Sequence, residues 1–144
     1  MSVLICPVCS EKLEKSENSL KCKNNHCFDF AKEGYVNLLS TNKNGEFIGD
    51  NKSMAMSRRS FLNKEYFKPL KDELIKNIKG KRVLDICCGE GYYDNFSNDF
   101  EFYGFDISKN MVRLAAKENK KISYFVANIS KIPIESSSID TAFH

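Results

Sequence analysis

Four side chains near the amino terminus have the types and spacing that bind a tetrahedral metal ion. Cys6 and Cys9 form a C-x2-C pair, and Cys22 and His26 form a C-x3-H pair that twelve intervening residues separate from the first. A C-x2-C pair lets both thiolates reach one ion from a single tight turn, and thiolate and imidazole ligands suit zinc. Cys27 offers an alternative fourth ligand. The spacing therefore predicts a structural zinc site with four protein ligands, the fourth being His26 or Cys27.

A second stretch, residues 82–93, could bind a nucleotide or nucleoside. Its apolar start predicts a buried parallel strand, and Gly89 and Gly91 then predict a sharp turn into a helix. A strand, a glycine turn and a helix form the phosphate- or nucleoside-binding corner of open α/β sheets, where the backbone must approach the ligand. A dinucleotide fingerprint needs a third glycine, and Asp94 stands there instead. The pattern therefore disfavours a dinucleotide.

Two acidic residues accompany this turn. Asp85 lies four residues before Gly89, and Asp106 ends a second apolar strand over residues 101–106. An acid at the end of the second strand can hold ribose hydroxyls, because a carboxylate accepts hydrogen bonds from both. Asp106 can also help to cap the helix that begins near Ser108.

Helices and strands alternate around these residues. A helix over 66–79 precedes the first strand, with an apolar stripe at Phe67, Leu70, Leu74 and Ile78. A helix over 108–120 follows the second strand, with Met111, Leu114 and Ala115 facing inward. A third strand over 122–126 and the start of a fourth at residue 139 come next, and Ser53 can cap a further helix. The sequence thus predicts an α/β fold with a Rossmann-like sheet that stops within its fourth strand.

The chain divides into three predicted segments. Residues 1–40 form a zinc-binding module that is too small to fold unaided, with residues 28–39 packing over the metal as a local core. Residues 41–82 form a linker and helices, and residues 83–144 form the sheet. The middle segment has eleven Lys and Arg against five Asp and Glu, whereas residues 83–144 have six against nine. This basic middle could contact an anionic partner.

The amino terminus lacks a leader pattern, and the chain lacks a run of about 18 apolar residues. We therefore expect a cytoplasmic protein without a membrane span. Thiols stay reduced in that compartment, so the six cysteines favour metal ligands and core thiols over disulfides.

The chain resembles a known family over its whole length. Asp85-x-x-x-Gly89-x-Gly91 resembles the first motif of class I S-adenosylmethionine (SAM) methyltransferases, which usually have a further glycine at the position of Cys87. Combined with the cysteine module, residues 28–39 and Arg58-Arg-x-Phe-Leu62, this motif is similar to bacterial large-subunit ribosomal RNA guanine-N1 methyltransferases.

The resemblance implies zinc bound by Cys6, Cys9, Cys22 and His26. It also implies a set of SAM-binding residues that comprises Phe67, Asp85, Gly89, Glu90, Gly91, Asp106 and Asn128. Phe67 stands where the family has a tyrosine that contacts the cofactor, and Asn128 would lie beside the adenine. The implied reaction is methylation of a guanine N1 in ribosomal RNA, with no residue assigned as the base. Ribosomal RNA is the expected partner, and a homodimer is a possible assembly.

Two other functions fit the sequence. One is a SAM methyltransferase that acts on a small molecule, and the other is a non-catalytic, zinc-held RNA-binding fragment. Because the predicted sheet ends in its fourth strand, we expect the 144 residues alone to be catalytically inactive.

Overall fold

The computed structural model describes residues 3–39, 68–91 and 99–143. The linker over 41–52, the helix capped by Ser53 and the cofactor residue Phe67 lie outside the described residues. Among the described helices, none is long and apolar enough to cross a membrane.

The cysteine segment contains a small antiparallel sheet. Its strands are β1 (Glu14–Ser16), β2 (Ser19–Lys21) and β3 (Cys27–Asp29), in that order across the sheet. Glu17, with a φ of 55°, lies in the tight turn that joins β1 to β2. Leu20 on β2 is buried and pairs with Phe28 on β3.

The second sheet is parallel. Its strands are β4 (Val36–Asn37), β5 (Arg82–Ile86), β6 (Glu101–Asp106), β7 (Ser123–Val126) and β8 (Thr141–Phe143). They are arranged in the order β4-β7-β6-β5-β8. Without β4 this order is that of the first four strands of a Rossmann sheet. The Rossmann-like prediction is therefore confirmed, but the contribution of β4 by the cysteine segment was not foreseen.

Helix α1 (Lys68–Lys76) ends three residues before its predicted end, and helix α2 (Lys109–Glu118) is shorter than predicted. Leu70, which belongs to the predicted apolar stripe of α1, is 50% exposed. Helix α2 begins as predicted, because the Ser108 hydroxyl accepts a hydrogen bond from the backbone N–H of Met111 at 3.4 Å. Leu114 on α2 is only half-buried. The buried side of this helix consists of Met111, Val112, Ala115 and Ala116.

The cysteine segment and the parallel sheet share one core. Leu4 and Leu20 from the cysteine segment belong to the same buried cluster as Leu84, Phe105 and Phe125 from the sheet. The rings of Phe105 and Phe125 stack with their centres 5.3 Å apart. The expectation of a local core over the metal site is therefore wrong, because the apolar side chains of that segment also cover one face of the sheet.

Backbone hydrogen bonds hold the two parts together. Leu38 donates to the carbonyl of Val126 at 2.9 Å, which continues the pairing of β4 with β7. At the amino terminus, Ile5 donates to Pro133 at 2.9 Å, and Glu135 donates to Val3 at 2.8 Å. The segment that carries the cysteines is therefore bound both to β7 and to residues 133–135, which follow β7 in the chain.

Candidate functional site

The side chains of Cys6, Cys9, Cys22 and His26 converge on one point. Their ligand atoms all lie within 4.8 Å of one another. His26 Nδ1 lies 3.5 Å from Cys6 Sγ and 3.4 Å from Cys22 Sγ, and the sulfurs of Cys9 and Cys22 are 3.6 Å apart. A tetrahedral zinc ion with its usual bond lengths would place such atoms about 3.5–3.8 Å apart. The cluster is therefore consistent with zinc.

Two tight turns form this cluster. Residues with positive φ, Ser10 at 64° and Asn25 at 65°, bend the backbone beside the two ligand pairs. The backbone N–H of Val8 donates to Cys6 Sγ at 3.4 Å. The pKa of Cys9 is lowered to about 6, mainly by a hydrogen bond from the backbone of Glu11. These backbone donors favour the thiolate, which is the form that binds metal, whereas burial raises the pKa of Cys6 above its ordinary value.

Cys27 does not belong to this cluster. Its side chain is exposed on β3, and its Sγ lies 3.7 Å from Asp29 Oδ1. Of the two alternatives left open by the spacing, His26 is the one that lies next to the three clustered thiols.

A second candidate site lies at the carboxyl edge of the parallel sheet. Asp106, the last residue of β6, accepts a hydrogen bond from the backbone N–H of Gly89 at 3.1 Å through Oδ2. Its Oδ1 accepts another from the backbone N–H of Ser108 at 2.9 Å. The carboxylate thus connects the glycine turn to the start of α2. Asp106 therefore serves the helix start, as the sequence allowed, and also orders the turn.

The glycine turn has a left-handed backbone at three positions. Gly89 and Gly91 have φ values of 57° and 78°, which glycine adopts without steric cost. Cys87 has a φ of 58° although it carries a Cβ atom. Partial desolvation beside the turn, followed by the nearby charges of Asp106 and Asp85, raises the pKa of the Cys87 thiol, although most of this side chain is exposed. The position that is usually glycine in the family therefore keeps a glycine-like conformation here.

The other predicted cofactor residues lie around the same corner. Asp85 is buried on β5, and Glu90 is half-buried in the glycine turn. Asn128 follows β7, beside β6, and its Oδ1 accepts a hydrogen bond from the backbone N–H of Ser130 at 3.0 Å. Asn128 thereby begins a short 3-10 helix over Ile129–Lys131. The described candidates are thus grouped at the carboxyl ends of three adjacent strands.

One connection between the Cys/His cluster and the carboxyl-edge site was not predicted from the sequence. Lys131 donates from Nζ to the carbonyl oxygen of Pro7 at 2.6 Å. Pro7 lies between the first two cysteines, and Lys131 ends the 3-10 helix that Asn128 begins. The sequence carries no signal for a contact between residues so far apart in the chain.

Family comparisons match both parts of the chain. Residues 4–45 match the family described as RlmA, N-terminal, and residues 83–144 match the family described as methyltransferase domain. The chain combines a zinc ribbon with a SAM-dependent methyltransferase fold. Together with the relatives described next, these matches confirm the resemblance to ribosomal RNA guanine-N1 methyltransferases as a similarity of both parts.

Individual relatives agree with these matches. The chain is 32% identical over 138 residues to a 23S rRNA (guanine(748)-N(1))-methyltransferase of Streptomyces fradiae, covering 88% of this chain and 48% of that protein. It is 30% identical over 157 residues to a candidate 23S rRNA (guanine-N(1)-)-methyltransferase of Bacillus subtilis (strain 168), covering 96% and 54%. The chain thus spans about half the length of these relatives.

A solved structure shows the same fold. A candidate SAM-dependent methyltransferase of Methanococcus maripaludis superposes with a TM-score of 0.53 and 26% identity, covering 72% of this chain and 52% of that one. This similarity supports the architecture of the sheet and its carboxyl-edge corner.

Proposed function

We propose that the protein transfers a methyl group from SAM to the N1 atom of a guanine in large-subunit ribosomal RNA. The observation that carries this proposal is that two sites share one core. One is the Cys/His cluster, and the other is the glycine corner, by which we mean the turn at Gly89 and Gly91 together with the Asp106 carboxylate that accepts a hydrogen bond from Gly89. Two relatives of about 30% identity that contain both parts carry the name of this activity. A ribosomal RNA substrate implies action in the cytoplasm.

The glycine corner supplies the groups that a nucleoside cofactor needs. Gly89 and Gly91 let the backbone approach the ligand closely, and the Asp106 carboxylate can accept hydrogen bonds from ribose hydroxyls. Glu90, Asp85 and Asn128, which follows β7, complete the described part of the proposed site, and Phe67 is proposed as its aromatic contact. SAM supplies the electrophilic methyl group when it is bound.

We assign Cys6, Cys9, Cys22 and His26 as the ligands of a structural zinc ion. Four protein ligands leave no coordination position for substrate, so the metal holds the fold rather than taking part in the reaction. Through the hydrogen bond from Lys131 to Pro7, the cysteine turn also supports the 3-10 helix that Asn128 begins.

The proposed acceptor sets two chemical requirements. Guanine N1 lies on the base-pairing edge, so the target base must be unpaired or turned out of its helix before it can react. N1 also carries a proton at neutral pH, which a base has to remove during the reaction. Alignment of donor and acceptor in a pocket that excludes water would provide most of the acceleration.

Calorimetry on the zinc-loaded protein tests the cofactor site. We expect SAM to bind, and we expect Asp106→Asn to weaken binding by about 1.5–3 kcal/mol, the range for a hydrogen bond to a charged group. Asp140→Asn is the matched control, because Asp140 lies before β8 and hydrogen-bonds only backbone groups of the 81–82 segment among its described contacts. Equal SAM affinity in wild type and Asp106→Asn would remove Asp106 from the site.

A methylation assay on the native gene product tests the acceptor. Labelled SAM is supplied with large-subunit ribosomal RNA or with small-molecule acceptors, and mass spectrometry locates the methyl group. We expect 1-methylguanine in the RNA. Methylation of the small acceptors alone would favour the small-molecule alternative, and RNA binding without SAM binding would favour a non-catalytic RNA-binding protein.

A further inference from the structure

A line of cations runs along the outward side of α2. Lys109, Arg113 and Lys117 follow one another at intervals of four residues, and Lys121 continues the interval past the end of the helix. All four residues are exposed. Residues four apart are neighbours on a helix surface, so the spacing places Lys109, Arg113 and Lys117 on one side, away from the buried side of α2.

This line connects the two edges of the parallel sheet. Lys109 lies three residues after Asp106, at the carboxyl edge where the cofactor corner is located. Lys121 lies two residues before Ser123, the first residue of β7, at the amino edge. A ten-residue helix is about 15 Å long. The cations therefore extend from the candidate methyl-transfer site to the opposite edge of the sheet.

The line ends at a cleft of about 550 Å³ between the cysteine segment and the amino edge of the sheet. Lys15, Lys120 and Lys121 contribute positive charge to the cleft, and Phe30 and Phe100 contribute half-buried aromatic rings. Lys15 Nζ lies 5.9 Å from the centre of the Phe30 ring. The cleft thus combines aromatic rings with ammonium groups on one concave surface.

Nearby acidic groups offset only part of this charge. Glu33 Oε1 accepts a hydrogen bond from Arg113 Nε at 2.8 Å, and the backbone carbonyl of Glu33 accepts one from Lys120 Nζ at 2.8 Å. Glu101 in the cleft pairs with Arg82 at 3.1 Å. Glu118 is the acid on α2 itself. Among the described residues, the five cations along α2 and its end therefore outnumber the carboxylates that contact or adjoin them.

We propose that this surface binds single-stranded RNA, which runs from the carboxyl edge along α2 into the cleft. The phosphates would follow the cations of α2, and a base would stack on Phe30 or Phe100. Aromatic rings combined with a cationic groove are the features of single-strand binding sites, whereas the bases of a duplex are not available for stacking. The inference rests on the proposed RNA substrate, and it adds a contact surface outside the methyl-transfer site.

Fluorescence anisotropy with a short labelled oligouridylate tests the line of cations. The zinc-loaded protein is compared with Lys117→Gln/Lys121→Gln, and Lys76→Gln/Lys79→Gln at the end of α1 is the charge-matched control. Loss of two phosphate contacts should weaken binding about 25-fold at 0.1 M salt and reduce the salt slope by about 1.4, from a slope of about 0.7 per phosphate on a single strand. Binding equal to that of the control would overturn the proposal.

Photocrosslinking to wild type tests the cleft without a variant. An oligonucleotide containing 4-thiouridine should crosslink to Phe30 or Phe100, as located by mass spectrometry. Crosslinks confined to residues outside the cleft, or no binding of single strands by wild type, would contradict the proposal. These outcomes are separate from failure of the proposed function, which calorimetry with SAM and the methylation assay report independently.

Discussion

Replacing Cys87 by glycine should stabilise the protein. Cys87 has a φ of 58°, where a residue with a Cβ atom costs roughly 1–2 kcal/mol. Glycine removes this cost but loses about 0.5–1 kcal/mol more conformational entropy on folding. Because the Cys87 side chain is exposed, its removal leaves no buried cavity. We therefore expect a net gain of about 0.5–1 kcal/mol in the free energy of unfolding.

Cys87→Ala is the control that isolates the backbone effect. Alanine lacks the thiol but keeps the Cβ atom, so it retains the strain. Urea unfolding under reducing conditions, with zinc in constant excess, should therefore rank glycine above alanine by about 0.5–1 kcal/mol. In thermal unfolding this difference corresponds to a rise of about 1–4 °C.

Gly89→Ala should have the opposite effect. Gly89 has nearly the same φ, 57°, so a Cβ atom there should cost roughly 1–2 kcal/mol. If Gly89→Ala is destabilised while Cys87→Gly is no more stable than Cys87→Ala, the proposed strain at Cys87 would be refuted.

Three further predictions concern the metal cluster, the sheet and acid stability. Metal analysis should find about one zinc per chain in Cys27→Ala and almost none in His26→Ala, because His26 is proposed as one of the four donors that a zinc site needs. The reverse result would make Cys27 the fourth ligand. Gly104→Ala should lower the free energy of unfolding in urea by about 1–3 kcal/mol, because the new Cβ atom would lie 2.7 Å from Tyr124 Cε1. An equal loss in a Tyr124→Leu background would contradict this clash. Hydrogen bonds from the backbone of Arg82 and Lys81 lower the pKa of Asp140 in the folded protein. The ionised Asp140 side chain therefore stabilises the fold fully above about pH 4, and this stabilisation is lost as the pH falls through the lowered pKa. Asp140→Asn should weaken the acid dependence of Tm, and an unchanged dependence would remove Asp140 as its source.

The central strands could be predicted from the sequence because their signals are local. Strand β5 was predicted from the apolar residues Val83, Leu84 and Ile86, and its buried parallel position explains this continuous apolar run. The start of α2 was predicted from Ser108, whose side chain does cap the helix. In both cases the residues that carry the signal lie within the element itself or beside it.

The attachment of the cysteine segment could not be predicted in this way. Strand β4 has only two residues, Val36 and Asn37, and its partner β7 lies far along the chain. Leu70 shows another limit, because it stands at helical spacing in the apolar stripe predicted for α1 and is nevertheless 50% exposed. Periodicity describes one element, whereas burial depends on the elements that pack against it.

In the candidate sites too, local features could be predicted from the sequence and contacts between distant residues could not. The spacing correctly predicted that Cys6, Cys9 and Cys22 lie together, because tight turns fix the positions of residues close in sequence. The hydrogen bond from Gly89 to Asp106 joins two strands, and the contact from Lys131 to Pro7 joins opposite ends of the chain. Only the packed sheet brings these groups within reach of one another.

Metal binding and attachment of the cysteine segment belong to different stages of folding. The clustered ligands lie between Cys6 and His26, so the loops that a metal ion closes are short and can form as soon as this segment leaves the ribosome. Strand β4 has to wait, because Val36 pairs with Phe125 and contacts so distant in sequence form slowly. During synthesis we therefore expect an intermediate in which the metal is bound while β4 and its apolar neighbours have no sheet to join. Its unpaired strand and uncovered leucines make this intermediate the stage at which aggregation competes most directly with folding.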